Sequence, residues 1–151
     1  VGHIAIHLYR PFPGDNLLEK LPATVEKVAV LDRTKEPGSE GEPLLLDVQS
    51  VLYRHPNRPT IIGGRYGIGS KEVTPNQIVS VYDHLLLDES EMKMRFTIGI
   101  KHHPQLFKRN FGDLVLMVQW VLINKRLRLL VIIQTDMLKL ISHMIRRNQV
   151  A

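Results

Sequence analysis

Apolar positions in the first hundred residues follow two alternating patterns. Four short runs rich in β-branched residues predict strands, with the sequences HIAIHLYR, EKVAVLDR, TIIGG and RFTIGI. Between these runs, apolar residues recur at helical spacing in GDNLLEKLPAT, EPLLLDVQSVLYRH and VTPNQIVSVYDHLLLDE. Strands that alternate with helices are typical of βαβ units, so we predict a mostly parallel sheet flanked by helices.

Helix-start signals support two of these helices. Asp15 or Asn16 is placed to cap the first helix, because a short polar side chain accepts a hydrogen bond from a free N–H of the first turn. Thr74 is the predicted N-cap of the third helix, and Pro75 follows it. Proline suits the first helical position because its missing N–H would have had no helical partner there.

Composition changes near residue 100. Residues 1–100 carry 11 basic and 13 acidic residues, a net charge of −2, whereas residues 101–151 carry 9 basic and 2 acidic residues, a net charge of +7. Nine of the ten glycines and eight of the nine prolines also precede residue 101. The positive charge therefore belongs to the tail, and a basic nucleic-acid-binding domain is not indicated. We predict one α/β domain over residues 1–100, followed by an irregular or helical tail over residues 101–151.

The chain contains no cysteine. It therefore has no disulfide, no thiolate nucleophile, no zinc site built from cysteine and no cysteine-ligated iron–sulfur cluster of its own. The first residues also lack the basic-then-apolar pattern of a signal peptide, so a cytoplasmic location is expected.

The glycine-rich segment after the third predicted strand resembles a phosphate-binding loop. A dinucleotide fingerprint needs a third glycine where this chain has Glu72, and a P-loop needs lysine before serine, whereas here Ser70 precedes Lys71. Each motif therefore fails at a position that its function requires. We interpret the glycines as positions of positive φ and close backbone approach. The candidate structural-loop residues are Gly63, Gly64, Arg65, Tyr66, Gly67, Gly69, Ser70 and Lys71.

Two expectations follow for this part of the sheet. Ile61 and Ile62 should be buried in the strand, and Gly63 to Ser70 should lie outside its carboxyl end. Binding of an anionic ligand by the loop from Gly64 to Ser70, in a stand-alone α/β module, stays open as an alternative function.

Other chemistry-bearing residues form weaker patterns. His3 and His7 share a face of the first strand, but no third ligand has the spacing to complete a metal site, so we interpret them as solvated. Asp32 and Arg33 end the second strand at the edge where α/β proteins usually bind ligands. No Ser/His/Asp arrangement with a recognisable motif supports nucleophilic catalysis.

Several segments together resemble a known family. They are HLYRPF, LPATVEKVAVLDRTKEPGSEGEPLLLDV, PTIIGGRYGIGSKEVTPNQIVSVYD and RFTIGI, and the most specific parts are LDRTKEPG followed by GEP, and GGRYG followed by SKE and TP. In order and spacing they resemble the second domain of pyruvate:ferredoxin (flavodoxin) oxidoreductase over residues 1–100. The resemblance implies a three-layer α/β/α fold like that of the C-terminal domain of transketolase.

The resemblance also implies a function for the parent enzyme. Such an enzyme decarboxylates pyruvate on thiamine diphosphate, passes electrons through iron–sulfur clusters to ferredoxin or flavodoxin, and forms acetyl-CoA from CoA. In it the second domain supports the thiamine-binding domains, and the catalytic residues and cluster cysteines lie elsewhere. We therefore expect this chain to bind no cofactor itself, to have the other domains of the oxidoreductase as its partners, and to be inactive alone.

The resemblance stops after Ile100. In the tail, Lys125, Arg126 and Arg128 cut the apolar run to about half of the roughly 20 residues that a membrane-spanning helix needs. No membrane span is therefore predicted. A basic amphipathic arm that binds a membrane surface or nucleic acid is a further open alternative for residues 101–151.

A shifted reading frame accounts for more of the tail. Residues 109–124 can be encoded by codons that, read from the third base onward, spell KFWGLGSDGTVGANK, which resembles the opening of the family's third domain. The same offset through KRLRLLVIIQT permits QAIKIIGDNTD. We therefore interpret residues 101–151 as an out-of-frame tail with no native domain, whose apolar side chains should be more exposed or less densely packed than those of the first domain. The comparison is between Leu116, Trp120 and Ile132 in the tail and Val30, Leu46 and Ile62 before it.

Overall fold

A computed structural model describes residues 1–99 and 129–134 of the chain. The elements, in chain order, are β1 (Gly2–Ile6), α1 (Gly14–Lys20), β2 (Lys27–Asp32), α2 (Pro43–Leu52), β3 (Thr60–Arg65), α3 (Pro75–Leu86), β4 (Arg95–Thr97) and β5 (Leu129–Gln134). A single 3₁₀ turn, Ile68–Ser70, lies between β3 and α3. All four strands and three helices predicted within residues 1–100 are present.

The strands form one sheet in the order β1-β5-β2-β3-β4. Every neighbouring pair is parallel, as the alternation of strands and helices predicts. Ala29 in β2 is opposite Ile62 in β3 on one side and opposite Val131 in β5 on the other. This central strand is buried from Val28 to Asp32 because sheet neighbours and helices cover it on all sides.

Helices cover both faces of the sheet. On one face, α1 and α2 pack against β2 and β5 through side chains that include Leu17, Leu44, Val48 and Val30. On the other face, α3 packs through residues that include Ile78, Val81 and Leu85. The architecture is therefore the expected three-layer α/β/α arrangement. Ile62 is fully buried between the layers, while Ile61 is only partly buried.

The helix starts agree with the sequence in one case and differ in the other. At α3, Thr74 occupies the N-cap, Pro75 the first helical position, and the Thr74 backbone N–H donates a hydrogen bond to Gln77 Oε1 at 2.9 Å. The prediction of Asp15 or Asn16 as N-cap of α1 is wrong. That helix begins at Gly14 with Pro13 at the N-cap, two residues earlier than a cap at Asp15 would place it. Asp15 instead accepts a hydrogen bond from Arg54 Nη1 at 3.2 Å.

Part of the tail also differs from expectation. Residues 129–134 form β5, an internal strand, and are neither irregular nor helical. Ile132 is 0% exposed, like Val30 and Ile62, whereas Leu46 is 39% exposed, so the expected greater exposure of Ile132 is wrong. The reason is that a run of apolar, mostly β-branched residues satisfies a buried strand position whatever its origin. Leu116 and Trp120 lie outside the described residues.

Candidate functional site at the carboxyl edge of the sheet

The carboxyl ends of β2 and β3 meet at one edge of the sheet. Asp32, the last residue of β2, is opposite Arg65, the last residue of β3. Two loops leave from this edge, one from Arg33 to Glu42 and one from Tyr66 to Thr74. In parallel sheets this edge is the usual location of ligand sites, so the chemistry of its side chains decides what the domain can do.

Asp32 is turned into the protein and is 1% exposed. Its Oδ1 accepts a hydrogen bond from the backbone N–H of Leu44 at 3.0 Å, and its Oδ2 accepts one from Leu45 at 3.1 Å. These N–H groups belong to the first turn of α2, where they have no helical acceptor. The carboxyl group thus joins the end of β2 to the start of α2.

Two opposing effects act on the pKa of Asp32. Burial disfavours the ionised form and raises the pKa to about 6, while the two backbone hydrogen bonds from Leu44 and Leu45 favour the ionised form and limit the rise. A carboxyl group with a raised pKa in a cleft is a common catalytic acid. Here both oxygens already have donors on α2, which favours a structural role for the group.

Glu42 is a second buried carboxylate at this edge and is 3% exposed. Arg65 Nε donates a hydrogen bond to Glu42 Oε1, and the backbone N–H of Glu36 donates one to Oε2 at 2.7 Å. Glu42 directly precedes Pro43, the first residue of α2. Through these hydrogen bonds, Glu42 connects β3 and the 33–42 loop to the start of α2.

Gly63 and Gly64 lie inside β3 and not beyond its end, which corrects the predicted boundary. A Cβ on Gly64 would stand 2.6 Å from Leu31 Cδ2 and would also overlap the Phe96 ring. A Cβ on Gly63 would overlap Leu45 Cδ2. Both glycines are needed because α2 on one face and β4 with its side chains on the other approach the β3 backbone closely.

The rest of the glycine segment turns the chain. Tyr66 is buried, and its backbone N–H donates a hydrogen bond to the Asp32 carbonyl oxygen at 3.0 Å. Gly67, Gly69 and Ser70 then adopt φ values of 60°, 69° and 57°, in the left-handed region. Lys71 is exposed. Whether the exposed turn also binds an anion stays a prediction.

The remaining candidates from the sequence are not brought together. His3 lies half-buried in β1, and His7 is exposed after the strand. Within residues 1–99 and 129–134, no group of three or more histidine, aspartate or glutamate side chains is placed to hold a metal ion. In the same part of the chain, no helix has the length and apolarity to cross a bilayer.

Sequence reasoning placed Asp32 at this edge but missed its partners and missed the Glu42–Arg65 pair. The stretch from Asp32 to Pro43 reads as a polar surface loop, because acidic residues in such loops are usually solvated. One signal was present: a glutamate directly before a proline at a helix start occupies the N-cap position. Its partner, Arg65, lies 23 positions away and is set only by the pairing of β2 with β3.

Comparison with known proteins gives a consistent family assignment. The sequence profile of the pyruvate:ferredoxin oxidoreductase core domain II family matches residues 1–78. The chain is 52% identical over 101 residues to pyruvate-flavodoxin oxidoreductase of Klebsiella pneumoniae and 51% identical over 100 residues to pyruvate:ferredoxin oxidoreductase of Moorella thermoacetica. Each match covers 66% of this chain but only 8% of the relative, so the chain spans about 8% of the length of these relatives.

Proposed function

The chain belongs to the pyruvate:ferredoxin oxidoreductase core domain II family, and we propose that residues 1–100 act as a supporting domain within a longer oxidoreductase of this kind. The proposal extends to the parent enzyme: oxidative decarboxylation of pyruvate to acetyl-CoA, with thiamine diphosphate and iron–sulfur clusters held by other domains and ferredoxin or flavodoxin as electron acceptor. A cytoplasmic location is part of the same proposal.

The main observation in favour of a supporting role is that the carboxylates of Asp32 and Glu42 form hydrogen bonds to groups of this domain itself. Asp32 holds the first turn of α2, and Glu42 holds Arg65 and the 33–42 loop. In a catalytic or cofactor-binding domain, carboxylates at this edge would have oxygens available for a metal ion, a proton or a ligand hydroxyl. Here they fasten the loops to the sheet, and a rigid edge of this kind suits contact with neighbouring domains.

A chimeric enzyme tests the supporting role. We expect that residues 1–100, placed in the Klebsiella pneumoniae relative in exchange for the segment that they match, retain pyruvate-dependent dye reduction with a KM close to that of the parent. Introducing Arg65→Ala into the chimera should lower the yield or thermal midpoint of the enzyme and leave the KM for pyruvate unchanged. A large rise in KM without loss of stability would instead assign Arg65 to the active site.

The isolated chain provides the complementary test. With pyruvate, CoA and thiamine diphosphate it should reduce no ferredoxin and no dye, because the proposed cofactor-binding domains are absent from it. Measurable pyruvate-dependent reduction would overturn the assignment of a supporting role.

A second candidate function is binding of an anion by the turn from Gly67 to Ser70. It is favoured by the left-handed backbone of three residues in this turn, since such turns can aim N–H groups at an anion, and by Arg33, whose Nε would lie 3.2 Å from a Cβ on Gly67. A thermal-shift titration with inorganic phosphate and with CoA tests it. Specific binding should add about 2.7 kcal/mol of apparent stability at a hundred times Kd, and the gain should disappear in Arg33→Met.

A further inference from the structure

Strands β1 and β2 follow one another in the sequence but are not neighbours in the sheet. β5 lies between them, with Ile132 opposite Ile4 of β1 and opposite Val30 of β2. Within the described residues, β5 is the only strand that pairs with β1. The position of β1 in the sheet therefore depends on a strand in the space between β1 and β2, which we call the strand slot.

The strand slot is apolar on both faces. Leu129, Val131 and Ile133 project into the cluster on the α3 side, and Leu130 and Ile132 project into the cluster on the α1 and α2 side. All five side chains are at most 8% exposed. An empty slot would expose the apolar edge of β2 and leave the N–H and C=O groups on one side of β2 without partners, which is costly in a core.

The strand that fills the slot here lies beyond the part of the chain that is shared with the family. The family profile ends at residue 78, and the motif resemblance ends at Ile100. The matched part contains both β1 and β2, and the relatives are about half identical to this chain over some 100 residues. The relatives therefore have the same two strands, and the strand between them must come from another part of their longer chains.

The order of the strands indicates which part that is. A common order of doubly wound parallel sheets is 2-1-3-4-5, in which the strand between the second and third strands comes first in the sequence. In the present sheet β1, β2, β3 and β4 stand at the positions of the second to the fifth strand. The missing first strand would then precede β1.

We propose that the strand slot is an acceptor site for a parallel, apolar β-strand, that in the longer relatives the occupant is a segment preceding β1, and that in this chain residues 129–134 take its place. The proposal rests on the family membership on which the proposed function is also based. Recognition is by backbone hydrogen bonds and by apolar contact on both faces, neither of which needs a particular sequence. The run LLVIIQ meets both requirements, because five of its six side chains are apolar.

A peptide-binding experiment tests whether the slot accepts a strand. Ile132→Asp places a carboxylate at a fully buried position and should displace β5 from the slot. A labelled peptide of residues 127–136 should then bind to the variant and restore slow hydrogen exchange to the β1 amides. In the unaltered chain the tethered β5 competes at high effective concentration, so the peptide should bind at least about tenfold more weakly.

The matched control is Met94→Asp, which introduces the same charge at a side chain that is 52% exposed and lies outside both core clusters. It should bind the peptide as weakly as the unaltered chain. Equal binding by all three proteins, or a folded Ile132→Asp chain that leaves the peptide unbound, would overturn the proposal.

A second variant keeps the test decisive if Ile132→Asp does not fold. In it, residues 127–136 are also placed before residue 1 through a Gly/Ser linker of about 15 residues, long enough for a parallel crossover. We expect the added strand to restore the thermal midpoint that Ile132→Asp lowers. The control is the same added segment with Asp in place of its own copy of Ile132, and this segment should leave the thermal midpoint low. Failure of the intact addition to restore folding would reject an upstream occupant.

These outcomes are separable from those of the proposed function. Peptide binding with an inactive chimera would keep the strand slot and reject the supporting role in the oxidoreductase. An active chimera without peptide binding, and without rescue by the added strand, would keep the supporting role and reject the strand slot.

Discussion

The Asp32 carboxyl group accepts a hydrogen bond from the backbone N–H of Leu44 at 3.0 Å, and this contact couples the end of the central strand to the start of α2. A carboxylate near a helix N-terminus is stabilised by the unpaired N–H groups and by the helix dipole. At Asp32 burial opposes this stabilisation and prevails, since the pKa is raised to about 6. The burial of the Asp32 carboxyl group therefore makes the stability of the protein dependent on pH.

The first prediction follows from this raised pKa. Between about pH 4 and pH 6 the folded protein retains a proton on Asp32 that the unfolded chain has released, so the free energy of unfolding should fall as pH rises through this window. The contribution from this group is at most about 3 kcal/mol. Chemical denaturation at a series of pH values measures it.

Asp32→Asn is the matched control for that prediction. The amide has nearly the same shape and does not titrate, so the fall in stability assigned to Asp32 should disappear from the pH profile of the variant. An unchanged profile would show that other groups cause the pH dependence.

The second prediction concerns the close approach at Gly64. Gly64→Ala should destabilise the protein by about 1 to 3 kcal/mol, because the added methyl group would overlap Leu31 and Phe96. Gly69→Ala should cost about 1 kcal/mol for a different reason, the positive φ of that residue, with no atom within 4 Å of the new methyl group.

Asparagine separates the two causes. It tolerates the left-handed region, so Gly69→Asn should recover most of the stability lost in Gly69→Ala. Gly64→Asn should be worse than Gly64→Ala because the side chain is larger. Thermal unfolding of the four variants measures this contrast, and rescue at Gly64 by asparagine would contradict the steric explanation.

The third prediction concerns Glu42 and Arg65. Arg65→Ala leaves a buried carboxylate without its charged partner and should cost about 2 to 3 kcal/mol, somewhat less than for a fully buried pair because the Arg65 side chain is 32% exposed. Adding Glu42→Gln should recover part of the loss, since the amide carries no charge and can still accept the hydrogen bond from the Glu36 N–H. A double-mutant cycle measures the coupling, and additive losses would show that the two side chains do not stabilise each other.

The fourth prediction concerns the origin of the tail. Translation of the gene from the codon for Arg109, in the frame that begins two bases later, should give KFWGLGSDGTVGANK and continue into sequence similar to the third domain of the family. Sequencing of the gene and its flanks is the measurement. Early stop codons in that frame, or a translation without this similarity, would refute an out-of-frame tail.

The burial of β5 is compatible with such an origin. Phe, Leu, Ile, Met and Val share the same base at the second codon position, so a displaced frame can yield apolar runs without selection for a core. A run of this composition enters a buried strand position because apolar character and approximate size are enough for burial, although they do not guarantee a unique packing.

Local sequence patterns are enough to predict the elements of residues 1–99 and the family resemblance. Apolar runs, Thr74 before Pro75 and the failed phosphate motifs are local patterns, and each depends on residues a few positions apart. The folded structure is needed to show which strands are neighbours, where the carboxylates of Asp32 and Glu42 point, and that Ile132 is buried between β1 and β2. The physical reason is that an apolar run shows that a strand will be buried, whereas its neighbours are set by backbone pairing and packing between segments that are distant in the chain.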